Sequence, residues 1–274
     1  MERFGQRPEY TFIFKIFKDE TPMDFTGKIV LVTGGSRGIG AAISRAFSDR
    51  GAIVGINYRE NHERAKQFIS TLKGKDHELF AADIATSSQC KDLIMSVVKR
   101  YGRIDILINN AGIHEAHPID STDYSNWDRI FHETMEVNLF GPARLMFLAA
   151  YQMKKQGGGR IVNISSRGAF RGEPDQPAYG ASKAGLNQLS QSLAQKLIPW
   201  KIFIGVVAPG FVETELAQEI LDGPRGEGIR MQSPFGRVAK PEEVAYAALF
   251  LASSGAEFST GAIVDVNGAS YLRS

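Results

Sequence analysis

The chain is expected to fold as an α/β protein, a doubly wound single domain around one seven-stranded parallel sheet. Three observations predict it. Short apolar runs rich in β-branched residues recur from residue 28 onward, longer stretches of helical periodicity separate them, and a glycine-rich turn follows the first run. Strands are expected at 29–33, 53–58, 79–82, 104–108, 160–165, 203–207 and 262–266. No Pro/Gly/Ser-rich linker, internal repeat or low-complexity tract breaks this alternation, so one domain over 27–274 accounts for it.

Residues 1–26 stand apart as an N-terminal extension expected to be poorly ordered. Its apolar stretch, 10–17, is interrupted by Lys15 and followed by no small-residue cleavage site, which argues against a secretory signal. Residues 11–14 read either as an added edge strand or as part of a frayed segment ahead of Met23. A bilayer-spanning helix needs roughly 20 apolar residues, and no segment reaches that length.

The first strand runs into Thr33-Gly34-Gly35-Ser36-Arg37-Gly38-Ile39-Gly40, and a helical pattern follows. Glycines there let the backbone approach a pyrophosphate, whose charge the free N–H groups and the helix N-terminus stabilise. The tip of the second strand is where an acidic side chain would receive the ribose hydroxyls of NAD. Here it reads Asn57-Tyr58-Arg59, with no carboxylate at the tip, while Arg37 sits in the glycine turn. Two guanidiniums suit a 2′-phosphate, which favours NADP(H); Glu60 keeps NAD(H) open.

Farther along, Tyr179 and Lys183 open a helical segment, and a spacing of four puts them on one face, a turn apart. An ammonium beside a phenol favours the phenolate, which would bring Tyr179 toward a range useful for proton transfer. The segment 211–240 mixes Gly and Pro into helical composition between the last two strands, and so long a connection suggests a substrate lid.

The charge balance of 32 Lys plus Arg against 30 Asp plus Glu, a net +2, gives no case for a nucleic-acid or anionic-membrane partner. Cys90 is the single cysteine, so no intrachain disulfide or thiolate metal site can form, and a reduced, cytoplasmic setting fits.

Taken in order, TGGSRGIG at 33–40, Asp83, NNAG at 109–112, Asn138 in VNLFG, Ser165-Ser166, the Tyr179/Lys183 pair and Pro209-Gly210 resemble the short-chain dehydrogenase/reductase family, whose fold is Rossmann-type, over 25–272. The resemblance implies a catalytic set of Ser166, Tyr179, Lys183 and Asn138. Ser166, 13 residues before Tyr179, would hydrogen-bond the substrate oxygen, and Tyr179 would be the acid in reduction and the base in oxidation. Lys183 would lower the phenol's pKa and bind the nicotinamide ribose, and Asn138 would hold a water in a proton relay. Beyond the glycine turn (Gly34, Ser36, Arg37, Gly38, Ile39, Gly40), the implied cofactor contacts are Tyr58 and Arg59, Asp83 and Ile84 at adenine, Asn110, Ala111 and Gly112, and Pro209, Gly210, Val212 and Thr214 at the carboxamide end. No metal is required.

The substrate is expected to be a small carbonyl or alcohol compound. INYREN, SS and PGFVETEL are similar to the family's 3-oxoacyl-acyl-carrier-protein reductases, which would add an acyl carrier protein as partner. Gln152 and Trp200, however, stand where those reductases present arginines. Sugar, steroid or secondary-alcohol dehydrogenation therefore remains the alternative, and a non-catalytic NADP(H) sensor is the reading from a different class. His114, Arg167, Arg171, Gln176 and Phe211 are the candidate substrate contacts. The resemblance also implies a homotetramer, with apolar residues such as Leu145, Met146, Leu148 and Tyr151 partly covered by another subunit.

Overall fold

Successive residues of a strand face opposite sides of a sheet, so a strand covered on both sides must be apolar throughout. β1 (Ile29–Val32) meets that condition, with all four residues buried, Ile29 and Leu31 in one core and Val30 and Val32 in the other. The computed structural model describes residues 23–273; the apolar segment 11–14 lies outside them.

The other strands are β2 (Ile53–Tyr58), β3 (Glu78–Ala81), β4 (Ile106–Asn109), β5 (Gly159–Ile164), β6 (Ile202–Pro209) and β7 (Ile263–Val266). They form one sheet of order β3-β2-β1-β4-β5-β6-β7, parallel at every pairing. β4 begins two residues later than its apolar run, since the ladder to β5 starts at Ile106 opposite Arg160. Ile104 is buried all the same.

The α-helices of the described residues are α1 (Gly38–Ser48), α2 (His62–Ile69), α3 (Ser87–Tyr101), α4 (Tyr124–Met135), α5 (Gly141–Lys155), α6 (Pro177–Leu197), α7 (Glu215–Asp222), α8 (Gly226–Arg230) and α9 (Pro241–Ala252). α3, α5 and α6 cover one side of the sheet, and α1 and α9 the other. Local chemistry sets several helix ends: Asn61 and Asp123 accept from Arg64 and Asn126 N–H groups, and Gly102 closes α3 in the left-handed conformation. A five-residue π turn, Glu136–Phe140, joins α4 to α5.

Phe25, at the end of the expected extension, is only 2% exposed and meets the Phe47 ring edge-on at 4.7 Å. The segment 211–240 folds into α7, α8 and turns, and its ends are drawn together by a bridge between Val212 and Ala239. Leu145 and Met146, expected to meet another subunit, are fully buried within the chain because they face β4 and β5 across the core. Phe147 and Tyr151 on the same helix are the exposed pair. No helix among the described residues is long and apolar enough to cross a membrane.

Phe47 has no exposed surface, so Phe47→Ala should lower unfolding free energy by about 3–5 kcal/mol, read from the denaturant midpoint.

Candidate active site

β1 lies beside β4, with β2 and β3 on its other flank, so the winding reverses between β1 and β4 and their C-terminal ends open a crevice. Thr33 closes the floor of that crevice: its Oγ1 accepts from the N–H groups of Asn110 and Ala111 at 2.9 and 3.0 Å. The Asn110 carboxamide donates to the Thr33 carbonyl at 2.9 Å. A Cβ at Gly40 would fall 2.2 Å from the Gly34 oxygen and 2.5 Å from Asn110 Nδ2, so this closure requires a glycine.

The resulting cleft, about 380 Å³, is lined by Gly34, Ser36, Arg37, Gly38, Ile39 and Gly40 of the turn and by Tyr58 and Arg59 after β2. Asp83 and Ile84, then Asn110, Ala111 and Gly112, and finally Thr214 complete the expected lining. Pro209, Gly210 and Val212 lie outside it: Pro209 ends β6, Gly210 backs onto Asn267, and Val212 pairs with Ala239. Arg59 pairs with Glu60 at 2.9 Å. Arg64, absent from the sequence expectation, also lines the cleft and pairs across it with Glu215 at the start of α7. The Arg64 hydrogen bond holds the Glu215 carboxyl below the usual carboxylate range, and the Arg37 charge adds to the effect. The signal was the first turn of α2, where a helix opened by Asn61 turns its third residue toward the tip of β2.

Beside the cleft, α6 carries Tyr179 and Lys183 one turn apart. Lys183 is 4% exposed, donates from Nζ to the Ile164 carbonyl at 2.9 Å, and sits 5.8 Å from the centre of the Tyr179 ring. Burial lowers its ammonium pKa to about 8. Burial also pushes the Tyr179 phenol above its ordinary value, opposed by the Ser166 hydroxyl. Burial and the Glu173 charge leave the phenol above its ordinary value in the protein alone, where the sequence reading expects Lys183 to lower it. Of the two adjacent serines, Ser166 is the one at the phenol, whereas Ser165 faces the Lys183 carbonyl at 3.4 Å.

Asn138 occupies the π turn, and its carboxamide makes a matched pair with one residue's backbone: Oδ1 accepts from Ile113 N–H and Nδ2 donates to Ile113 C=O, both at 2.9 Å. Nδ2 also donates to Ser182 Oγ at 3.2 Å. A Cβ at Gly112 would lie 3.2 Å from Asn138 Oδ1 and 3.5 Å from Lys183 Nζ. The loop after β4, Asn138 and Lys183 therefore meet at a glycine.

On the substrate side, the His114 ring stands edge-on to Tyr179 at 6.1 Å, and desolvation and the Lys183 charge lower its pKa. Arg167 is 4% exposed, donates to Ser270 at 2.6 Å and Gln232 at 2.5 Å, and lies over the Phe211 ring. It ties the turn after Ser166 to the segment after β7 and to the 211–240 segment, so these donors are engaged within the protein. Arg171 pairs with Glu173 at 3.5 Å. Gln176 is the N-cap residue of α6 and makes no side-chain cap bond.

The buried ammonium has a thermodynamic consequence. Lys183 binds its proton more weakly when folded than its ordinary 10.5, so its burial costs stability below about pH 8, and the cost is relieved as pH rises toward 10.5. Lys183→Met should therefore be the more stable protein at neutral pH, by at most about 3 kcal/mol. Denaturant unfolding should show the gap narrowing from pH 8 to pH 10.

The family described as short chain dehydrogenase matches residues 28–225. An uncharacterized oxidoreductase of Thermotoga maritima is 38% identical over 255 residues, 90% of this chain and 99% of that one. The 3-oxoacyl-[acyl-carrier-protein] reductase FabG of Escherichia coli is 37% identical over 251 residues, 91% of this chain and 100% of that protein. Among solved structures, a dehydrogenase/reductase from Sinorhizobium meliloti superposes with a TM-score of 0.82 at 32% identity, covering 91% of this chain and 97% of that one. The protein gox2181 gives 0.84 at 31% identity, covering 90% and 96%.

Proposed function

The chain belongs to the short-chain dehydrogenase family, whose members are oxidoreductases of carbonyl and alcohol groups, and from that premise we propose that it is an NADP(H)-dependent carbonyl reductase of 3-oxoacyl thioesters. The observation that carries the chemistry is the convergence of Tyr179, Ser166 and Lys183 beside a cleft walled by a glycine turn and the loop after β4. The cleft suits a dinucleotide: Gly34, Gly38, Gly40 and Gly112 line it with bare backbone, and the N-terminus of α1 opens onto it with N–H donors.

When bound, the reduced nicotinamide supplies the hydride. Gly34 to Gly40 and the N-terminus of α1 would hold the pyrophosphate, and Asp83 and Ile84, lining the same cleft, would hold the adenosine end. Arg37, Arg59 and Arg64, gathered in the same cleft, support a 2′-phosphate over a bare ribose; Glu60 is already paired with Arg59. Ser166 and Tyr179 hydrogen-bond the substrate oxygen, and the phenol, kept protonated by burial, gives that oxygen its proton as charge develops there. Lys183 would hold the nicotinamide ribose and stabilise the phenolate left behind, and Asn138 keeps the Ile113 backbone in register beside it.

The thioester substrate is supported by the relatives named as 3-oxoacyl-[acyl-carrier-protein] reductases. A second reading, a dehydrogenase of polar ketones or alcohols, draws on the face an acyl carrier protein would use. Trp200 there lies beneath the Lys154 ammonium at 4.3 Å, and Arg144 is engaged by Glu136 at 2.7 Å. The exposed Phe147 and Tyr151 on α5 support an interface with another subunit, as a homotetramer would need.

Purified protein offered NADPH should reduce a 3-oxoacyl thioester faster than polar ketones; the reverse order would favour the second reading. Tyr179→Phe should cut turnover by about a hundredfold to ten-thousandfold with NADPH binding unchanged, and persistent turnover would overturn the assigned acid. Arg37→Ala and Arg59→Ala should each weaken NADPH binding by about 1.5–3 kcal/mol and NADH binding far less, as read by fluorescence titration.

A further inference from the structure

The loop after β4 carries a second histidine, His117, with no exposed surface. Its Nε2 lies 3.2 Å from the backbone nitrogen of Ala178, which can only donate, so Nε2 accepts. The ring proton must then sit on Nδ1, which donates to the Glu115 carbonyl at 2.8 Å. Both partners are satisfied by one neutral tautomer and by no other form of the ring. The main-chain N–H of His117 also donates to the Asp175 carbonyl, at 2.8 Å. Trp127 approaches the ring at 6.2 Å and is itself stacked on Phe131.

α6 begins without a cap of its own. The Gln176 side chain makes no cap bond, and Pro177 at the first position has no N–H. Ala178 bears the helix's first amide proton, and it points into a buried site where His117 receives it. Tyr179 is the next residue, its N–H donating back to Gln176 C=O at 3.0 Å. Four residues before His117, the same loop is held by Asn138 at Ile113, and before that it forms the cleft wall at Asn110 to Gly112.

We propose that His117 is a positioning residue for the reaction, supplying from the loop after β4 the cap that α6 lacks and thereby setting Tyr179 relative to the cofactor wall. The inference rests on Tyr179 being the acid. Misplacing a proton donor by about 1 Å costs up to a hundredfold in rate while leaving the cofactor cleft intact.

In His117→Phe, which keeps a flat ring against Trp127 and removes the acceptor, kcat should fall on the order of tenfold to a hundredfold with KM and NADPH affinity held. His117→Gln, long enough to accept from Ala178 while donating to Glu115, should recover most of that loss. His117→Asn, too short for Ala178, should not, and this pair carries the test if the Phe variant does not fold. A kcat in the Asn variant equal to that of the Gln variant, or a loss of NADPH affinity matching the loss of kcat, overturns the proposal. Amide exchange at Ala178 reads the cap without turnover: slow exchange in the wild type and in His117→Gln, with fast exchange in His117→Asn, supports it. Equally slow exchange in all three overturns it. Turnover persisting in Tyr179→Phe would instead bring down the assignment of the acid and leave the exchange result standing.

Discussion

A single buried carboxamide holds the loop after β4 against the helical layer, and the site is built around that junction. Once the chain leaves β4 the ladder no longer satisfies its peptide groups, yet the Ile113 N–H and C=O both stay paired, with Asn138 standing in for a neighbouring strand. The helix carrying Asn138 departs from regular α geometry at that residue, in the π turn between α4 and α5. Gly112 then lies against both Asn138 and Lys183 with little room for a side chain, so the loop's height is set from two helices at once. The glycine turn after β1 takes its position from the same loop through Thr33 and Asn110. Cleft wall, ammonium and phenol thus share one reference point.

That geometry places Tyr179 and Lys183 where water is scarce, and each group is pushed toward its neutral form. A phenol that keeps its proton and an ammonium that binds its own less tightly than usual make a site whose ionisation responds to a charged or dipolar ligand more than an exposed pair would. The folded state tolerates this because the surrounding layers are well filled. Phe47, Leu107 and Met153 are fully buried, and the sheet is covered on both sides.

Much of this was legible in the sequence because it is local. The strand runs follow from β-branched apolar clusters, the glycine turn from the close passage of two backbones, and the Tyr179/Lys183 pair from the helical repeat. What escaped depends on groups distant in the chain. Leu145 and Met146 look like surplus apolar residues on a helix until the sheet beneath them is known. Arg167 reads as a candidate substrate contact, yet Ser270, 103 residues later, accepts from it. Arg64 gained meaning only when α7 brought Glu215 to it, 151 residues on. His117 is a buried ring in a polar loop, and nothing near it in sequence announces that its partner is the first amide of α6. Helical spacing gives the proximity of Lys183 to Tyr179 and says nothing of solvation, and it is burial that sets the phenol above its ordinary value.

The Arg64–Glu215 pair bears on how the cleft exchanges its contents. One partner stands on α2 and the other on the first residue of α7, so the pair straddles the cleft from wall to wall. Glu215 is largely exposed and Arg64 partly so, and the contact is worth at most about 1 kcal/mol. The start of α7 is therefore tied to the β2 side of the cleft by a contact weak enough to part and re-form at little cost to the fold.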